Sequence, residues 1–427
     1  VPGAVAVMAE AVAKFGNLPL KEVMAPAIRL AEQGFVVDSA FWRGLAGDSA
    51  KLVRFAGASL LFPNGQRVKP GTRLVQADLA RTLRRIADQG PREFYEGETA
   101  DLLVAEMQRG GGLITKQDLA SYKAIWREPL RTTYRGHTVL GMPPVSSGGT
   151  TSFAILHMLE TRDTLPTFGS AAYTHLLAEA ERRAFIDRNT KLCDPAFCTV
   201  PVAQLTSKDY ARQLAATIDP ARASKTPAMQ PAPTGLHTTH YSVVDRAGNA
   251  VSTTTTLNLG YGSGVYVPGA GFFLNDEMDD LAAAPGKPNA FGLIEGEQNA
   301  VQPGKRPLSS MTPTIVLDPQ GRVLLVAGAA GGPTIISGTT QVILNVLDHR
   351  MTLADAMRAP RIHHQALPDQ ITFETGGFAA SVTDSLRAMG HALNGVRSLV
   401  NVNAVMRVRG GWEGVSEPRS VGAAVGY

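Results

Sequence analysis

Thr238 and Thr239 open an alternating segment, TTHYSVVD, directly after a proline-rich stretch at 219–234. Threonine is favoured in β-strands, and on its own the pair reads as the start of an ordinary edge strand. Its position allows a second chemistry. A threonine hydroxyl becomes a competent nucleophile when a base lies beside it, and the residue's own free α-amine is one such base. That amine exists only if the His237–Thr238 bond is cut. Such a cut needs an exposed, flexible upstream segment, and the proline-rich stretch reads as a linker able to supply one. Further along, Glu277 and Asp280 stand three apart in NDEMDD. They can face one site and hold a cationic amine through charge-assisted hydrogen bonds, although such clusters commonly face solvent. Ser309 and Ser310 carry hydroxyls able to bind a carboxylate, yet paired serines in a turn are otherwise unremarkable. Gly331 and Gly332 end an apolar run. Two consecutive N–H groups free of side chains can approach a developing oxyanion, though most glycine-rich strand ends are plain turns.

Other chemistries find no support. GYGSG at 260–264 lacks the spacing of a dinucleotide fingerprint, and no G-x-S-x-G elbow points to a serine hydrolase. His363 and His364 are adjacent, so on an extended segment they point to opposite faces, which argues against a shared metal. Cys193 and Cys198 are too few for a structural zinc site and are not spaced as C-x-x-C. They can pair in an oxidising compartment or stay reduced, and inert buried thiols are the expectation.

The elements that position these residues divide the chain in two. Residues 1 to about 130 carry apolar residues at three-to-four spacing in segments such as KEVMAPAIRLAEQG and DLARTLRRIADQGP, most closing on glycine, and read as helices. LRTTYRGHTVLGMPP alternates like a strand. SSGG then turns into a buried helix, TTSFAILHMLE, and SAAYTHLLAEAERRAFIDRN reads as a long amphipathic helix capped by serine. After the linker, TTHYSVVD and AVSTTTTLN flank RAGN as a hairpin, RVLLVAGAAGG is a buried strand, TTQVILNVLDHRM and TLADAMRAP are helices, and ITFE and VNAVMRVRGG are strands. Helices followed by strands predict an α+β or layered αββα domain.

A chain of 427 residues with 44% hydrophobic content can bury a large core, and charged residues at only 18% argue against disorder. The net charge of +4 is spread along the chain without a run of five or six like charges, so no nucleic-acid partner is expected. No apolar run is long enough to span a bilayer. No signal peptide is visible, and a start at VPGAVA without an initiator methionine reads as processed or trimmed.

Taken together, TTHYSVVDRAGNAVSTTTTLN resembles the start of the small subunit of γ-glutamyltranspeptidases, which are autoprocessed N-terminal-nucleophile hydrolases. Further motifs follow in that family's order. GFFLNDEMDDL resembles its substrate-amine loop, PGKPNAFGLIEGEQNAV its lid loop, GKRPLSSMTPTIV its double-serine motif, AGAAGGPTI its oxyanion glycines and APRIHHQALPD a further signature. VPGAVA, GGLITKQDLASY and MPPVSSGG are similar to its large subunit. The resemblance implies a four-layer αββα sandwich, with 1–237 as a large-subunit-like portion and 238–427 as a small-subunit-like portion of one folded domain. It makes Thr238 the nucleophile, freed by its own attack on the His237 carbonyl. Thr256 and Asn258 match positions lining that nucleophile. Thr256, on the partner strand of the hairpin, is placed to hydrogen-bond the Thr238 hydroxyl or amine. Glu277 and Asp280 would take the substrate amine, Ser309 and Ser310 its carboxylate, and Gly331 and Gly332 the oxyanion. The implied reaction transfers a γ-glutamyl group from glutathione or a related amide to water or an amino acid, with no cofactor and no metal. The implied partners are the two subunits of one precursor, in a periplasmic or secreted location.

Two departures stand out. The family's large subunit normally begins well before VPGAVA, with core strands and an arginine that pairs with the substrate α-carboxylate; this chain starts after them. Phe291 in PNAFGL stands where many bacterial members carry a tyrosine, keeping the apolar cover without the hydroxyl. Two alternatives follow: an acylase of the same fold taking a glutaryl-like group, against which both Glu277 and Asp280 argue, and a truncated, uncut relative that does no catalysis.

Overall fold

The computed structural model describes residues 2–55, 58–226 and 238–426. The chain forms two compact units, Val1–Trp126 with Leu257–Asp276, and Arg127–Thr256 with Glu277–Tyr427. These units do not follow the portions 1–237 and 238–427 that the resemblance implies, which rest on an expected cleavage point and not on compactness.

The first unit is helical, as its three-to-four periodicity requires. Its longer helices span Ala4–Phe15, Leu20–Gln33, Ser39–Leu52, Ala77–Gln89 and Glu98–Gly110. Asp38 caps one of them by accepting from Phe41 N, and Thr115 with Asp118 forms a capping box on another, Lys116–Ser121. The segment Leu257–Asp276 threads back into this unit: Val267 and Ala270 pack with Ile86, Leu103 and Leu119. Thr82 Oγ1 donates to Ala270 O at 2.8 Å, and Lys51 Nζ donates to Gly262 O at 2.8 Å.

The second unit is layered. Strands β1 (Leu130–Tyr134) and β2 (His137–Gly141) precede helices α1 (Gly148–Glu160) and α2 (Ala171–Lys191). Strands β3 (Thr238–Val244) and β4 (Ala250–Thr256) form the expected hairpin, followed by β5 (Thr314–Leu317), β6 (Val323–Ala330), α3 (Thr334–Leu347), β7 (Asn401–Val408) and β8 (Gly411–Val415). Six of these strands make one antiparallel sheet in the order β8-β7-β6-β5-β2-β1. Helices α1 and α3 cover one face and α2 packs on α1, while the β3–β4 hairpin lies on the face of β6 and β7. The fold is α+β, of the N-terminal-nucleophile type. Helices, sheet and hairpin supply three of the four αββα layers. The outer side of the hairpin presents the exposed side chains of Tyr241, Val243 and Val251.

Four expectations need correction. LRTTYRGHTVLG is two strands, because Arg135 (φ 48°) and Gly136 (φ 78°) both adopt left-handed backbone and reverse the chain between them. Helix α2 is capped by Ser170 as expected but is not amphipathic; Glu179, Glu181, Arg182 and Arg188 are buried with its apolar residues. Each finds a partner, which is what keeps buried charge tolerable: Glu179 with Arg182 and Arg183, Arg182 with Asp369, Arg188 with Glu295, and Glu181 with the backbone N of His364. Cys193 and Cys198 form a disulfide and are not inert thiols. Phe197 N and Cys198 N both donate to Asp194 O, a tight turn that leaves the two Cα atoms 6.4 Å apart, within bridging range. The described part of the linker, 219–226, is fastened and not loose: Ser224 N donates to Glu179 at 3.1 Å, Thr226 N to Asp369 at 2.9 Å, and Ala223 is buried. The rest of that stretch lies outside the described residues.

Candidate functional site

Thr238 is the first residue of β3, paired across the hairpin with Thr256, and the two hydroxyl oxygens are 3.2 Å apart. Register makes this contact. Directly opposed residues of an antiparallel pair share a face, so Thr238, His240 and Ser242 stand beside Thr256, Thr254 and Ser252 on the side turned toward the sheet. This inner face is polar, and its groups are satisfied in pairs. Ser252 Oγ donates to Ala327 O at 3.1 Å and accepts from Thr314 N at 3.1 Å. Ser242 Oγ donates to Val326 O at 3.3 Å, so His240 Nε2 is the donor to Ser242 at 3.0 Å and Nδ1 accepts from Thr254 Oγ1 at 2.8 Å. Burial lowers the His240 pKa to about 4, so this ring is neutral at pH 7. The ring lies on Gly328: a Cβ there would sit 2.3 Å from His240 Cε1. Only glycine lets the hairpin approach so closely. Sequence reading assigned no part to His240 or Gly328; the small-residue run VAGAA was the available cue.

Gly331 and Gly332 follow β6 directly. Thr238 and Ala330, the residue before Gly331, line one cavity of about 350 Å³. Gly332 is left-handed (φ 58°), and an added Cβ would meet the ring of Phe291 at 2.6 Å. Phe291 is therefore the cover of this glycine turn. It is buried, its carbonyl accepts from Gln365 Nε2 at 3.1 Å, and its N–H donates to Asn289 Oδ1 at 3.0 Å.

Glu277–Asp280 is a single 3₁₀ turn. With three residues per turn, its first and fourth side chains eclipse, so Glu277 and Asp280 share a face as the spacing suggested. Burial pushes the Asp280 carboxyl well above the usual range, with the neighbouring Glu277 and Glu295 charges adding to it. A buried carboxyl in this state, with a half-buried one on the same face, favours a cation. The turn is tied to the lid segment, where Ala290 N donates to Asp279 at 3.0 Å, and to the double-serine segment, where Leu308 N donates to Asp280 O at 3.2 Å.

Ser309 and Ser310 follow Leu308, with Ser310 buried. The Ser309 carbonyl accepts from Ser147 N at 2.7 Å and Ser147 Oγ at 2.8 Å, and Ser146 Oγ donates to Met311 O at 2.6 Å. The SSGG segment thus clamps the double serine. Arg188, fully buried on α2, holds both ends of the arrangement. It donates to Leu308 O at 3.2 Å, to Ser147 Oγ at 3.4 Å and to Glu295, and Glu295 accepts from Asn299, whose Nδ2 also donates to Asp280 O at 2.9 Å. Arg188 carried no signal in the sequence beyond being a cation on an apolar helix.

Thr238, Thr256, Glu277, Asp280, Ser309, Ser310, Gly331 and Gly332 all belong to the second unit. Asn258 belongs to the first, where it is buried with left-handed backbone (φ 74°) and donates through Nδ2 to Asp276 O at 3.3 Å. His237 lies outside the described residues. His363 and His364 are both buried and serve separate partners, Ser337 and Gln365 for the first and Asp369 for the second.

The whole chain, residues 1–427, matches the family described as Gamma-glutamyltranspeptidase. It is 45% identical to a glutathione hydrolase proenzyme of Pseudomonas aeruginosa, over 100% of this chain and 77% of that protein. The chain belongs to the γ-glutamyltranspeptidase family. It is also 42% identical to the glutathione hydrolase proenzyme of Escherichia coli, over 98% of this chain and 73% of that one. Among solved structures, a cephalosporin acylase from Bacillus halodurans superposes with a TM-score of 0.86 at 28% identity, covering 100% of this chain and 78% of its own. Among the described residues no helix is long and apolar enough to cross a membrane.

Proposed function

We propose that this family member is a γ-glutamyl hydrolase and transpeptidase that acts on glutathione and related γ-glutamyl amides after cutting itself before Thr238. The observation that carries this reading is the Thr238 hydroxyl at the head of β3, 3.2 Å from the Thr256 hydroxyl and on one cavity with Ala330, the residue before Gly331. In maturation Thr238 Oγ attacks the His237 carbonyl, the His237–Thr238 amide breaks, and water hydrolyses the resulting ester. The freed α-amine then accepts the Thr238 hydroxyl proton as Oγ attacks the substrate γ-carbonyl. Gly331 and Gly332 N–H groups stabilise the oxyanion, and the ammonium protonates the departing amine. Water or an amino acid then resolves the γ-glutamyl ester. Glu277 and Asp280 hold the α-ammonium, and Ser309 and Ser310 donate to the α-carboxylate. The products of the cut are two subunits that stay together as a heterodimer, with a periplasmic or secreted location by analogy with the family.

The acidic pair of buried Asp280 and half-buried Glu277 favours a γ-glutamyl over a glutaryl substrate, since a glutaryl group brings no cation to it. The test starts with the intact mass of the purified, denatured and reduced chain. Wild type should separate into two fragments at His237–Thr238, and Thr238→Ala should remain at 45.2 kDa. The cut protein should hydrolyse γ-glutamyl anilides much faster than glutaryl anilides. A wild-type chain that stays whole, or a cut chain that prefers glutaryl anilides, refutes the proposal.

A further inference from the structure

A second cluster of chemically able side chains lies on α2, apart from every residue assigned above. His175 and Glu179 are four residues apart on that helix and therefore on one face. His391, from the loop before strand Leu393–Val396, closes on them. One ligating atom from each lies within 4.8 Å of the other two, and all three side chains are buried. His175 Nε2 faces the carbonyl of Asp219 at 2.8 Å. A carbonyl can only accept, so this nitrogen carries the proton and the Nδ1 lone pair points inward, toward His391 Nε2 at 2.7 Å. A backbone carbonyl that fixes the tautomer of a histidine from outside is the arrangement found behind metal-ligating imidazoles. In this state the two rings share the His391 Nε2 proton, and His391 Nδ1 is left buried with no hydrogen-bond partner.

We propose that His175 Nδ1, His391 Nε2 and the Glu179 carboxylate form a binding site for one first-row divalent transition-metal ion. The ion takes the place of the shared proton. That proton moves to His391 Nδ1, and the two ligating nitrogens separate to about 3.3 Å, the span set by tetrahedral zinc–nitrogen bonds. Two imidazoles and one carboxylate select zinc, nickel or copper over magnesium or calcium. The surrounding charges are Arg182, Arg183, Asp369 and His364. Arg182 is held independently by Asp369 and by Thr226 at 2.7 Å, and Arg183 by Thr217 at 2.8 Å and Ser224 at 3.1 Å. Both guanidinium groups can therefore release Glu179 without losing all their partners. Their positive charge beside a divalent ion holds the affinity down, so the site is one of moderate strength. Because Asp219 and Ser224 both bond to its residues, occupancy also bears on the fastened segment 219–226.

The test uses the full chain, stripped with a chelator and titrated with zinc chloride by calorimetry and with cobalt(II) chloride by visible absorption. One ion per chain should bind, with the absorption of a nitrogen-ligated cobalt centre, and magnesium should not compete. His175→Gln and His391→Gln should each weaken zinc binding at least about tenfold. Circular dichroism establishes that the variants fold. If either does not, anomalous diffraction from wild-type crystals soaked in zinc decides: a peak between His175 and His391 supports the site. Absence of saturable one-to-one binding, unchanged affinity in both folded variants, or a zinc peak elsewhere overturns it.

Discussion

Arg188 offers the sharpest test of how the site is held. Its guanidinium and the Glu295 carboxylate are almost wholly buried, with side-chain exposures of 0% and 4%. Replacing Arg188 by Met keeps an unbranched apolar stem and removes the guanidinium and its charge. Glu295 is then left as an uncompensated buried anion next to Asp280, a carboxyl already destabilised by burial. Breaking a buried pair in this way costs about 3–5 kcal/mol. In Arg188→Met/Glu295→Gln the orphan charge is gone, and what remains are unmet hydrogen bonds to Leu308 O, Ser147 Oγ and Asn189 Oδ1. That cost should fall to about 1–3 kcal/mol. Urea unfolding of wild type, both single variants and the double variant gives the coupling energy, which should exceed about 1 kcal/mol. On the proposed function, the same loss frees the Ser309 segment from the Asp280 turn, so KM for a γ-glutamyl anilide should rise at least about tenfold, equal to about 1.4 kcal/mol. An Arg188→Met protein within about 1 kcal/mol of wild type, or strictly additive effects, would refute the claim that this pair holds the site together.

Gly328→Ala should cost about 1–3 kcal/mol by overpacking, since its Cβ would overlap the His240 ring; on the proposed function, self-cleavage should also slow as the hairpin lifts, and a mass time course reads this directly. His240 and His363 are held down to about 4 by burial, so between pH 6.5 and 4 the unfolded chain binds protons that the folded chain refuses. The contribution of these two histidines is therefore full above pH 6.5 and falls toward pH 4, by up to about 1.4 kcal/mol per pH unit for each. Asp280 and Glu181, both raised by burial, act in the opposite direction. His240→Asn isolates one contribution: the gap between it and wild type in urea unfolding should narrow as pH falls. Reducing the Cys193–Cys198 bond, which closes a loop with a sequence separation of 5, should cost about 2 kcal/mol; thermal melts with and without reductant measure it.

The hairpin at 238–256 could be read from the sequence because its partners are close in the chain. An alternating run, a turn at RAGN and a second strand-favouring run announce a hairpin; the family motif singled out Thr256, and the register of the folded hairpin sets it opposite Thr238. Glu277 and Asp280, three apart, likewise needed only a short local turn to share a face. The order of the motifs carried the family. Tertiary structure decided the rest. Arg188 and Glu179 look like solvent-facing charges on a helix until α2 is buried among elements from distant parts of the chain, and their partners, Glu295 and Ser224, lie far along the sequence. His240 looks like one more strand residue until Gly328 passes beneath it. His391 is an unremarkable loop residue until it meets His175, 216 positions away. Periodicity and turn chemistry report on neighbours within a few residues. Which charges are paired, and which surfaces are buried, depends on contacts made only when the layers close.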